Sequence, residues 1–181
     1  SGIMTLSGRD CLTCLAEEIG PERAMTAAHL MAEAMDNVEK LCRSFGDSCG
    51  FRRMDSLRYV ENPDQAADIR REYSLRLHNG MEVELLDSVT GSQQFTFPME
   101  AGVYAKNAAA QVDPYRLVHG VAAAASEAGA RIYENTSAET LDESGGEAVV
   151  LECSNGHTIQ AEYVIIASGM EMSHMVKGID E

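Results

Sequence analysis

The chain has 181 residues, of which 14 are Lys or Arg and 29 are Asp or Glu, for a formal net charge of −15 with histidine neutral. Hydrophobic residues make up 45% and charged residues 24%, ordinary globular values that exclude general disorder and point to one domain or a compact two-lobed unit. The acidic balance argues against nucleic acid and against anionic lipid as partners, because both are held by clustered Lys and Arg.

The clearest helix runs over residues 21–45. Ala28, Met31, Met35, Val38, Cys42 and Phe45 recur at spacings of three and four, which places them on one face. Pro21 suits the first helical position, Glu22 complements the dipole there, and Gly46 suits a left-handed cap past the end. Phe51–Val60 reads as extended, without helical periodicity. Asn62-Pro63 then opens a second helix, with Ala66, Ile69, Tyr73 and Leu77 as its buried stripe and Gly80 as its stop. Between 81 and 111 the pattern predicts strands at Glu82–Leu86 and Gly102–Lys106 and a short helix at Asp87–Gln94.

From residue 112 the pattern sharpens. Asp113-Pro114 is a cap followed by a first-turn proline, and Leu117, Val121, Ala125 and Ala128 line one face of the helix that Gly129 ends. Arg131–Asn135 follows directly as a short strand, so helix and strand together read as half of a parallel crossover unit. Ser137–Leu141, Ala148–Cys153 and Thr158–Ala161 form a three-stranded antiparallel meander, turned at Gly145-Gly146 and at Asn155-Gly156, a strong hairpin dipeptide. Tyr163–Ala167 is a continuous apolar run of the kind buried on both faces of a sheet, and it stops at Ser168-Gly169. It is among the longest apolar runs, far short of the ~20 residues a membrane-spanning helix needs.

Residues 1–10 lack the basic stretch and apolar core of a signal peptide. The five cysteines, at 11, 14, 42, 49 and 153, are odd in number and scattered, so reduced thiols in a cytoplasm are the simpler reading. Cys11-x-x-Cys14 has half the spacing of a zinc knuckle, but no second Cys or His pair matches it, and no bound metal is expected. The five histidines form no HxH, HxxxH or HExxH pattern, and no Ser sits in a G-x-S-x-G elbow. Eight acids and no Lys or Arg lie between 132 and 176, which reads as a solvated face of the meander.

Residues 112–169 carry more information together than any one of them does. The segment VDPYRLVHGVAAAASEAGARIYENTSAETL, the meander, and IQAEYVIIASG resemble the middle of a flavin-dependent oxidoreductase of the D-amino-acid oxidase and glycine oxidase superfamily. Val112, Asp113, Pro114, Leu117, Gly129, Ala130, Ile132, Thr136, Ala161, Val164, Ala167 and Gly169 match its V-D-P…L helix, G-A-x-I strand and closing A-x-x-V-I-x-A-x-G strand. Ser1–Thr5 and Phe51–Val60 resemble the same family more loosely. The family's G-x-G-x-x-G fingerprint, whose glycines bring pyrophosphate to a helix N-terminus, does not occur in these 181 residues, and Ser168 stands where a threonine is common.

The resemblance implies an α+β fold: a mixed sheet with a crossover helix and a three-stranded β-meander. Residues 1–111 would form a partial substrate-side lobe and 112–181 a partial FAD-binding lobe. It implies FAD as the cofactor, a small-molecule amine or amino acid as substrate, and hydride transfer to the flavin in a longer parent enzyme. The chain, which starts Ser1-Gly2 rather than with Met, would be an internal fragment that is inactive and does not retain FAD. Ala167, Ser168 and Gly169 would turn beside the FAD phosphates or ribose, and Ser137 and Ala138 would lie at the strand end that meets the adenine. No catalytic residue is assigned. A glycerol-3-phosphate-dehydrogenase-like flavoenzyme and a non-catalytic acidic binding module on the same scaffold are the alternatives.

Overall fold

The computed structural model describes residues 2–6, 11–142 and 148–169. Ser1, the expected Gly145-Gly146 turn, and residues 170–181 with His174 lie outside the described residues. The chain forms two compact units, 1–129 and 130–181. The helix that follows residue 112 therefore groups with the first unit.

The first unit runs β1 (Ile3–Thr5), α1 (Leu12–Ile19), α2 (Pro21–Ser44), β2 (Arg52–Val60), a 3-10 turn at Pro63–Gln65, α3 (Ala66–His78), β3 (Glu84–Asp87), α4 (Ser88–Gln94), β4 (Ala101–Gln111) and α5 (Pro114–Glu127). β4 is the central strand of an antiparallel sheet. β2 pairs along nearly its whole length, while β1 and β3 take opposite ends of its other edge, at 109–111 and 101–104. The β2–β4 register shifts between Met54 and Ser56, so Asp55 alone faces Lys106, Asn107 and Ala108. Asn107 absorbs the kink at φ +52°, a conformation Asn tolerates better than most side chains.

Local chemistry explains where the helices begin. Pro21 opens α2, Asn62 accepts from the Asp64 N–H at the start of the 3-10 turn, and Asp113 accepts from the N–H groups of Tyr115 and Arg116 at the start of α5. Asp87 and Thr90 form a reciprocal capping box on α4. The buried faces are less local in origin. On α2, Ala24, Met25, Ala28, Met35 and Cys42 are buried, and Met31 is exposed. On α3 the inward face carries Ala66 and Ile69 but also Glu72 and Arg76, while Leu77 faces solvent.

Three apolar clusters hold the unit together. Leu12, Ala24, Met25 and Ala28 join α1 to α2. Ala66, Ile69, Ala101 and Val103 seat α3 on β4. Cys42, Cys49 and Val112, with Met4, Val38, Phe45, Phe51 and Leu117 around them, tie α2 and α5 to the end of the sheet. α5 approaches Phe45 through Gly120, where a Cβ would stand 2.5 Å from the Phe45 ring. Val121, expected on the packed face, is exposed.

The second unit holds β5 (Ala138–Asp142), β6 (Val149–Cys153) and β7 (Thr158–Ala161) as an antiparallel meander. Asn155-Gly156 forms the expected tight turn, with Gly156 at φ +79° and the Asn155 side chain accepting from His157 N–H. Two expected strands are not formed. Residues 131–135 are irregular and end in a turn, and 163–168 are irregular throughout. Tyr163 and Ile165 are 86% and 91% exposed. An apolar run becomes a strand only where a neighbouring strand takes up its N–H and C=O groups, and among the described residues no strand pairs with either segment. The parallel crossover expected after α5 is accordingly absent from the described residues, whose sheet pairings are all antiparallel.

Candidate functional site

The residues the sequence marks for cofactor contact all lie in the second unit. Ser137 donates its N–H to Ser154 Oγ at 3.1 Å and accepts the Ser154 N–H at 2.9 Å, and Ala138 pairs with Cys153. These bonds fix the start of β5 against β6. They run to 153–154 and not to Ala167, Ser168 or Gly169, which follow in irregular backbone. Gly169 adopts φ +66°, where any side chain would be strained, and among the described residues no atom beyond its chain neighbours lies within 4 Å of the place a Cβ would occupy.

On the first unit, the bulge opposite Asp55 builds a small polar constellation. The Tyr104 hydroxyl donates to Asp55 Oδ2, and the Asn107 N–H donates to Asp55 Oδ1 at 3.0 Å. The Tyr104 hydrogen bond, then the Asn107 N–H and the nearby Lys106 charge, hold the Asp55 carboxyl below the usual carboxylate range. The same bond pushes the Tyr104 phenol above its ordinary value, so this hydroxyl is a committed donor and not a base at neutral pH. Tyr104 and Lys106 line a groove of about 240 Å³ with Glu82, Val83 and Glu84. Phe95, Phe97 and Tyr59 continue the surface as tilted ring pairs 4.7 and 5.3 Å apart, and Phe95 meets Tyr104 edge-on at 6.3 Å.

A second constellation was not anticipated from the sequence. Glu72 on α3 is 1% exposed and Arg76, one turn later, 5%. Glu72 accepts from the N–H groups of Leu12 and Thr13 at 3.1 and 2.8 Å and from the Thr13 hydroxyl at 3.0 Å. Arg76 donates to it from Nε at 2.8 Å and through a guanidinium nitrogen at 2.6 Å. Burial pushes the Glu72 carboxyl upward, but the Thr13 N–H, the Arg76 charge and the Leu12 N–H together hold it below its ordinary value. Beside it Cys11, the N-cap of α1, is joined to Cys14 by a disulfide, where two reduced thiols were expected. The signals available were Glu72 and Arg76 at i,i+4 in the favourable order and the Cys-x-x-Cys spacing. Neither reveals burial or a bond. Cys42, Cys49 and Cys153 are free and buried. Among the described residues no group of three or more His, Cys, Asp or Glu is placed to hold a metal ion, and no helix is long and apolar enough to cross a membrane.

No curated protein matches this chain. Among solved structures, glycine oxidase from Geobacillus kaustophilus superposes with a TM-score of 0.71 at 22% identity, over 97% of this chain and 45% of that one. L-proline dehydrogenase from P. horikoshii gives 0.68 at 14% identity, over 82% and 40% of the two chains. Glycine oxidase from Bacillus cereus gives 0.67 at 20% identity, over 80% and 40%. At these identities the likeness is one of fold, and the chain spans less than half the length of these relatives. The sequence itself goes further: residues 12–180 match the family described as FAD dependent oxidoreductase, and the chain belongs to that family.

Proposed function

We propose that this chain is the central part of a flavoenzyme that oxidises an amine or amino acid by hydride transfer to FAD. The observation that carries the reading is the family match over residues 12–180. The fold likeness to a glycine oxidase and an L-proline dehydrogenase supports the substrate class. FAD, when bound, accepts the hydride; the protein's part is to bind, orient and shield the substrate. Residues 1–111 are proposed as the substrate-side lobe and 112–181 as the cofactor-side lobe.

Ser137, Ala138, Ala167, Ser168 and Gly169 are proposed to line the adenosine and phosphate end of the cofactor. The support is the open, positive-φ backbone at Gly169 and the tied-down strand start at 137–138. The segments 131–135 and 163–167 are proposed to become strands of the cofactor sheet in the complete enzyme. The chain alone is proposed to retain little FAD, since it carries no Gly-rich phosphate loop. Cytoplasmic location remains part of the proposal.

The test is made on the full-length protein. It is expected to copurify with FAD, and an amine or amino acid is expected to bleach its visible absorption in the absence of oxygen. Gly169→Val is expected to lower FAD occupancy while leaving the helices and meander folded. Equal occupancy in both proteins would remove Gly169 from the cofactor site. A full-length protein without flavin would overturn the functional reading.

A further inference from the structure

We propose that Cys11–Cys14 is a reversible thiol–disulfide exchange site, opened by small thiols at Cys14, the exposed member of the pair, with Cys11 departing as the thiolate. The two residues differ in exposure. Cys11 is 6% exposed, whereas Cys14, three residues on along α1, is an exposed residue. An attacking thiolate needs a clear approach to one member of the pair, and Cys14 is the more exposed residue of the two.

The buried partner is prepared to leave. Cys11 Sγ accepts the Cys14 N–H at 3.0 Å and the Thr13 hydroxyl at 3.2 Å, and it caps the N-terminus of α1, where the helix dipole favours negative charge. Glu72 sets the counterweight. Its carboxylate already holds the Leu12 and Thr13 N–H groups and competes for the Thr13 hydroxyl, so the first turn of α1 stays docked on α3 with the bond open or closed. Two cysteines held in register reclose readily. A bond spanning only two intervening residues closes a very short loop, so it restrains the unfolded chain less than a long-loop bridge would.

The step balances as ordinary exchange. A thiolate RS⁻ bonds to Cys14 Sγ, the Cys11–Cys14 bond breaks, and its electron pair leaves on Cys11 Sγ. A second RS⁻ then attacks the R sulfur of the mixed disulfide, releasing RSSR and the Cys14 thiolate. The two protons of the reductant thiols end on Cys11 and Cys14, so the protein disulfide gains two electrons and two thiols become one disulfide.

The experiment uses the full chain, folded, in glutathione buffers of graded reduced-to-oxidised ratio. Samples are quenched in acid, alkylated and mapped by mass spectrometry. The expected result is a smooth passage of the 11–14 pair from closed to open, with no glutathione on Cys42, Cys49 or Cys153 and the circular dichroism spectrum unchanged. Cys11→Ser is expected to capture glutathione on Cys14, and Cys14→Ser at least about tenfold less on Cys11, since exchange follows access. Should either variant fail to fold, brief timed quenches of the unmodified chain report whether the transient mixed disulfide sits on Cys14 or Cys11. A pair that opens only after denaturation, a chain that never closes the bond, or capture on Cys11 would each overturn the proposal. No flavin enters this assay, so its outcome is separate from that of the proposed enzymatic function.

Discussion

Removing the Glu72 carboxylate should be among the most damaging single changes available in the first unit. Glu72→Ala leaves the Arg76 guanidinium buried without its partner and strips the first two N–H groups of α1 of their acceptor. Breaking a buried ion pair from one side costs about 3–5 kcal/mol, a large part of the ~5–15 kcal/mol that holds a typical domain folded. Glu72→Gln should be intermediate. One Glu72 oxygen faces Leu12 N–H and Arg76, and the other faces Thr13 N–H and its hydroxyl, so either amide orientation points an NH₂ at donors. The double change Glu72→Met with Arg76→Leu should cost less than Glu72→Ala alone, because it removes the stranded charge as well as the pair. Urea unfolding, read as midpoints at constant slope, gives the ranking. A Glu72→Ala protein within ~1 kcal/mol of the parent, or a double variant as unstable as the sum of the singles, would refute the reasoning. The pair also gives a pH signature. With the folded carboxyl held below its ordinary 4.5, its contribution is whole above that value and is lost as pH falls below it, because the unfolded chain takes up the proton first. The acid-side loss of stability should be shallower in Glu72→Gln.

Asp113→Ala removes the acceptor for the Tyr115 and Arg116 N–H groups and should cost ~1 kcal/mol in urea unfolding; an unchanged midpoint would mean the cap carries no weight. Gly120→Ala places a methyl 2.5 Å from a Phe45 ring carbon and should cost roughly 1–3 kcal/mol, while Gly102→Ala, whose nearest neighbour is the flexible Met99 sulfur at 2.8 Å, should be milder; the reverse order in the same assay would contradict the packing. Tyr104→Phe takes away the main influence lowering the Asp55 carboxyl, so a carbon-detected NMR titration should move that group upward toward the ordinary range, and an unmoved midpoint would show that the Asn107 N–H suffices.

What residues 1–181 determined by themselves was the set of features written in short stretches of chain. The Pro21, Asn62 and Asp113 helix starts, the left-handed Gly46 and the Asn155-Gly156 turn rest on contacts a few residues apart, which local chemistry dictates, and the three meander strands pair only with their neighbours in sequence. The family resemblance over 112–169 was legible for the same reason: it is a run of caps, stops and apolar positions in fixed order. The tertiary structure decided the rest. β4 runs to Gln111, well past the expected Lys106, because β1 and β2 supply partners for 109–111. Glu72 and Arg76 turn inward on α3 in place of Leu77 because α1 presents unsatisfied N–H groups there, 60 residues away in sequence. Residues 131–135 and 163–167 carry strand-like patterns yet stay irregular. Hydrophobicity marks a segment as able to join a sheet, but only a neighbouring strand satisfies its backbone, and none of the described strands does so.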